Sequence, residues 1–145
     1  MTVLPHVLAG ALIGSYVQNS ILAFVLGVAS HPLIDFIPHW DLPVLSPNRK
    51  LRFAVWIFIL IELVVACIVL FNLYRLANMS AFWAALGGVL WDLEYPIRIL
   101  FKIKKGFHPY PGVLHNKTTF KKGVLAQAIV LLLSAYLLYR RLSAQ

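Results

Sequence analysis

The chain has 145 residues, the length of one domain. Its hydrophobic fraction is 61% and its mean hydropathy +0.81, above the roughly 45–50% apolar content of water-soluble globular domains, which excludes an ordinary soluble core. The net charge of +8 comes from 13 Lys and Arg against five Asp and Glu; these cations hug the ends of apolar segments without any nucleic-acid-binding module, which argues against nucleic acid as a partner.

The first apolar segment, residues 4–17, makes a helix of about 21 Å, short of the roughly 30 Å of a hydrocarbon layer. No Lys or Arg precedes it and no small-residue cleavage site follows, so a removed signal peptide is not expected. A tight turn at Gln18, Asn19 and Ser20 leads to a second segment, residues 21–37. The third, residues 51–76, reads "LRFAVWIFILIELVVACIVLFNLYRL" and carries one carboxylate, Glu62. Residues 81–100 and 123–139 complete the set. The expected fold is all-α: a single integral membrane domain, residues 1–145, built as a polytopic bundle of about five helices. Gly10 with Gly14, and Gly87 with Gly88, are small residues that let helices approach closely. Trp40, Trp83, Trp91, Tyr95 and Tyr110 fit an interfacial aromatic belt. Cys67 is the only cysteine, so no disulfide or thiolate zinc cluster is expected, and it is read as an apolar filler.

Five alternating helices put the chain start, residues 39–50 and residues 98–122 on one side. That side holds ten cations: Arg49, Lys50, Arg52, Arg98, Lys102, Lys104, Lys105, Lys117, Lys121 and Lys122. The other side holds Arg75, Arg140 and Arg141. Short loops rich in Lys and Arg stay in the cytoplasm, so the expected location is a bacterial inner membrane with the first side cytoplasmic and the C-terminus outside. The cationic fringe also attracts anionic lipid headgroups, making membrane lipids the expected partners.

Five acids and five histidines are all the chain has, and nine of these ten fall toward the expected cytoplasmic side; only Glu62 lies mid-span. His31 and Asp35 are four apart and share a helix face. Pro38 ends that helix near Ile37 and leaves His39 and Asp41 on a turn. Asp92 and Glu94 are two apart and do not share a face, but Pro96 loosens their segment. His108 and His115 lie in a proline-rich loop, and His6 begins the first helix on the same side. Ionisable groups at membrane depth are costly unless paired, hydrated or bound to an ion. Mixed imidazole and carboxylate donors suit a divalent zinc, with manganese or iron next, better than calcium or magnesium.

His6, His31, Asp35, Asp92, His108 and His115 are therefore the expected metal ligands. His39, Asp41 and Glu94 are expected to complete coordination or to act catalytically, as general base to the attacking water. Such a centre suits hydrolysis of a phosphate-containing, lipid-linked substrate. The alternatives are a non-catalytic metal-binding protein, a small transporter or assembly component, or a polar cap of hydrogen bonds where helices leave the bilayer. Glu62 is expected either to pair within the bundle or to serve a proton path.

Three motifs carry a resemblance: "SHPLID" with His31 and Asp35, "GGVLWDLEYP" with Asp92 and Glu94, and "HPYPGVLH" with His108 and His115. Together they resemble the YdjM-like membrane-bound metal-dependent hydrolases, small polytopic proteins whose acidic motif reads Pro-Asp-x-Asp and whose histidine motif reads His-Arg-x-x-x-His-Ser. Here Trp91 and Glu94 replace the proline and second aspartate, the histidines are seven apart, Asn116 follows the second one, and the "SHPLID" element precedes the acidic pair. The resemblance implies a hydrolase holding its metal within the membrane domain.

Overall fold

The computed structural model describes residues 1–40, 47–103 and 118–144, and the regular elements among them are all helical. In chain order they are α1 (Val3–Gly14), α2 (Ser20–Asp35), α3 (Arg49–Arg75), α4 (Met79–Val89), a 3-10 turn (Leu90–Leu93), α5 (Glu94–Phe101) and α6 (Phe120–Leu142). Each apolar segment of the sequence carries a helix. The fourth departs from expectation, because the 3-10 turn divides the helix expected over residues 81–100 into α4 and α5.

Asparagine starts three of these helices. Asn19 Oδ1 accepts from the N–H groups of Ile21 and Leu22 at 2.9 and 3.0 Å, and Asn48 Oδ1 from Lys50 and Leu51 at 3.0 and 3.2 Å. Asn78 Oδ1 takes the Ala81 N–H at 3.1 Å. Each side chain satisfies donors that the first helical turn cannot. The end of α3 is closed by a paired-carbonyl cap: Asn78 N–H reaches Leu73 O at 3.1 Å and Ala77 N–H reaches Tyr74 O at 3.0 Å. Ala77 adopts a left-handed φ of 54° to allow this.

α3 and α6, with 27 and 23 residues, are long and apolar enough to cross a membrane. α1, α2 and α4 have 12, 16 and 11 residues, about 16–24 Å at 1.5 Å per residue. Five helices were expected, the first too short to span fully; among the described residues α3 and α6 have spanning length, and α1, α2, α4 and α5 are shorter.

α1, α2 and α4 form the packed centre. α4 is buried along Ser80, Ala81, Ala84, Ala85, Gly87 and Gly88, a strip of small side chains that admits α1 on one side and α2 on the other. Gly10 of α1 and Gly27 of α2 both lie against the Ala84 carbonyl, where a Cβ on either would collide with backbone. Val7, Leu8 and Ala11 meet Ala81 and Ala85 in the core, with Ala66 and Leu73 of α3 and Leu138 of α6 closing it. α3 and α6 otherwise turn their large apolar side chains outward: Phe53, Leu60, Leu125 and Leu132 are each more than 60% exposed. Cys67 also lies on the outward face of α3.

The helices alternate in direction. At one end Ser80 Oγ donates to Gln18 O at 3.0 Å, and Arg141 Nε donates to Ser15 O at 3.3 Å while its guanidinium lies 4.7 Å from the Tyr16 ring centroid. At the other end the start of α1 meets the ends of α2 and α4 and the start of α6. That second end gathers the histidines and carboxylates.

Candidate metal centre

Three histidines converge on one buried carboxylate, with a second carboxylate beside them. His6 Nε2 lies 3.3 Å from Asp35 Oδ1, His31 Nε2 3.2 Å from Asp35 Oδ2, and His39 Nε2 3.8 Å from Asp35 Oδ1. Asp92 Oδ1 is 4.0 Å from His31 Nε2. His6, His31 and Asp35 each offer a donor atom within 4.8 Å of the other two, and all three are buried, so this group can hold a metal ion. The Met1 ammonium also donates to Asp35 Oδ1 at 2.7 Å, giving the buried carboxylate a cationic partner.

The local structure orients these donors. The four-residue spacing within α2 puts His31 and Asp35 on one face. His31 Nδ1 lies 2.7 Å from the Gly88 carbonyl, and His39 Nδ1 lies 2.9 Å from the Ile37 carbonyl. A carbonyl only accepts, so in both rings Nδ1 carries the proton and, in the neutral ring, Nε2 presents its lone pair toward Asp35. Metal-bound histidines are held in the same way by their second nitrogen. The His6 ring stacks on His31 with centroids 3.8 Å apart and planes 14° apart. His6 is fully buried; its Nε2 faces Asp35 Oδ1, and its Nδ1 has no hydrogen-bond partner among the described residues. A buried polar atom without a partner costs on the order of 1–3 kcal/mol.

Backbone contacts from three other elements set the frame. Gly88 brings α4 onto the His6 carbonyl, where a Cβ would collide, and its own carbonyl takes the His31 proton. Pro32 lies inside α2 and supplies no N–H to Val28 O four residues earlier. Trp91 fills that vacancy: its indole Nε1 donates to Val28 O at 3.2 Å and ties the 3-10 turn carrying Asp92 to α2. Trp91, expected in an aromatic belt, also clamps the turn beside the centre. At α6, Gly123 packs against the backbone of His39 and Trp40, and Gln127 Nε2 donates to Trp40 O at 2.8 Å. Thr118 N–H bonds His39 O at 3.3 Å, and Trp40 meets Phe120 edge-on at 4.8 Å. These contacts fix His39 at the centre.

Glu62 corrects a second expectation. Read from the sequence as standing apart at mid-span, it accepts hydrogen bonds from the Thr2 side chain and the Val3 N–H, and it lies within electrostatic range of Asp92. α1 begins level with the middle of α3, so the mid-span acid caps the helix that carries His6. Glu94 opens α5 and is only 3% exposed. Asp41, His108 and His115 lie outside the described residues.

Glu62, Gly88, Trp91 and Gly123 are the positions that sequence reasoning did not assign to the site. Pro32 was the available signal for Trp91, because a proline inside a helix leaves a carbonyl that some donor must satisfy. Comparison with protein-family profiles, curated proteins and solved structures finds no match to the chain.

Proposed function

We propose that the chain is an integral membrane protein that holds a divalent metal, zinc before manganese or iron, at His6, His31 and Asp35, and hydrolyses a phosphoester there. The class is that of the YdjM-like membrane-bound metal-dependent hydrolases, on the motifs quoted above. One observation carries the reading: His31 and His39 are both locked through Nδ1 by backbone carbonyls so that their Nε2 atoms face Asp35, and the buried His6 turns its Nε2 to the same carboxylate. Membrane residence is supported by α3 and α6, whose outward apolar faces would be costly in water and neutral in hydrocarbon.

A divalent ion held by His6, His31 and Asp35 would supply Lewis-acid polarisation of a phosphoryl oxygen and an acidified water. Asp92 carries the one carboxylate of the group with appreciable exposure, 19%, and it accepts the proton of the attacking water. The water oxygen forms the new P–O bond, the ester P–O bond breaks, and the proton passes to the leaving alcohol. His39 is the third nitrogen donor, and Glu62 holds α1, and with it His6, in register.

Elemental analysis of the purified protein tests the metal. We expect near-stoichiometric zinc, with affinity reduced on the order of 100-fold in His31→Ala and His6→Ala. Asp92→Asn should keep its metal and lose most hydrolysis of a chromogenic phosphodiester. Metal that survives both histidine substitutions, or none in the parent protein, ends the shared-centre reading. The near-complete burial of His6, His31, Asp35 and His39 favours a second reading, a non-catalytic metal-binding membrane protein. Full metal with no turnover of any phosphoester would select it.

A further inference from the structure

We propose that the groove between α3 and α6 holds the single apolar chain of a lipid phosphate ester, the substrate of the centre above, an inference that rests on the hydrolase reading. A cavity of about 420 Å³ opens between these two helices over the start of α1, within the range of about 300–1,000 Å³ that holds small ligands. Ala54, Val55 and Phe58 form its α3 wall, and Val124, Ala128 and Leu131 its α6 wall. At about 30 Å³ for a group of water's size, the 420 Å³ takes on the order of fourteen such groups, the methylenes of one chain rather than two.

The groove joins the centre through the polypeptide itself. Pro5 and Trp40 line it and are the immediate neighbours of His6 and His39, while Thr2 and Glu62, which also line it, bond each other at the start of α1. A chain lying in the groove therefore runs alongside the segments that carry His6 and His39.

Charge decides which lipid. Lys50 lies four residues before Ala54 on α3, and Lys121 lies three and seven before Val124 and Ala128 on α6, so both share a helix face with a groove wall. Both are exposed at the helix starts. Two cations on the groove-lining faces complement an anionic headgroup and offer nothing to a neutral one. The occupant is thus a single-chain phosphate ester, delivered from within the bilayer.

The test uses the full chain in phosphatidylcholine nanodiscs, titrated with hexadecyl phosphate brominated along its chain, with tryptophan quenching as the readout. We expect saturable quenching that is lost in Trp40→Phe and an affinity at least tenfold lower in Ala128→Phe. Ala54→Phe, on the opposite wall, gives an independent obstruction with the same expected loss. Brominated hexadecanol should bind at least tenfold more weakly than the phosphate, and the double variant Lys50→Ala, Lys121→Ala should erase that difference. Quenching that never saturates, that persists in Trp40→Phe, or that ignores both obstructions overturns the groove; equal affinity for the alcohol overturns the phosphate assignment. Metal content of the same samples separates the two readings. Full metal without saturable quenching overturns the groove alone, whereas saturable quenching without metal supports the groove and overturns the hydrolase.

Discussion

At the residue scale, the centre depends on backbone groups as much as on its ligands. His31 and Asp35 are legible from their spacing, but the Gly88 carbonyl that fixes the His31 proton is 57 residues away, and no local pattern announces it. The Pro32–Trp91 relation is the most testable of these links. Val28 O would be an unsatisfied acceptor without the indole, since Pro32 has no N–H to give it. Trp91→Phe should cost about 1 kcal/mol, lowering the melting temperature by roughly 2–4 °C for a chain of this size. Adding Pro32→Ala restores a helix N–H to Val28 O and should recover most of that loss. A Trp91→Phe protein as stable as its parent, or one that Pro32→Ala does not rescue, would mean that the indole is not the partner of this carbonyl.

At the scale of elements, the sequence conveyed which segments are helices and missed how they divide the work. Asn19, Asn48 and Asn78 mark helix starts by type and position, and the structure uses all three. Pro96 hinted at a loosened segment, but the place of the break between α4 and α5 was not legible, because the pairing of Trp91 with the Val28 carbonyl is a tertiary contact. Nor was the role of α6, which read as one more apolar span. Its first turns pin the backbone on which His39 rides, through Gly123 and Gln127. Gly123→Ala places a methyl group against the Trp40 and His39 backbone and must push the two elements apart, at a cost of about 1–3 kcal/mol. We expect metal affinity to fall about 10- to 100-fold, as for loss of an orienting contact, while His6, His31 and Asp35 stay in place on α1 and α2. Calorimetric titration of zinc into the variant measures this; unchanged affinity would show that His39 does not share the centre.

At the scale of the whole molecule, alternation of apolar segments was enough to infer that His6, His31, Asp35, His39 and Asp92 share one end of the bundle, because each turn reverses the chain. The shortness of the first segment was legible, but not that its start meets the middle of α3, so Glu62 looked isolated at mid-span. With α1 starting level with the middle of α3, the buried carboxylates sit near the centre of the longest helix. In a membrane, the charge rule would put the end where α3 and α6 begin on the cytoplasmic side, since Arg49, Lys50, Lys121 and Lys122 lie there. Pro47 and Ser143 are both exposed, the first just before the Asn48 cap of α3 and the second at the end of α6. In a Cys67→Ser background, Pro47→Cys should react with an impermeant maleimide only in inverted vesicles, and Ser143→Cys only in intact cells. The reverse pattern would invert the orientation. Labelling of both from the same side would contradict their placement at opposite ends of a membrane-crossing bundle, and with it the depth from which a lipid substrate would have to reach Asp35.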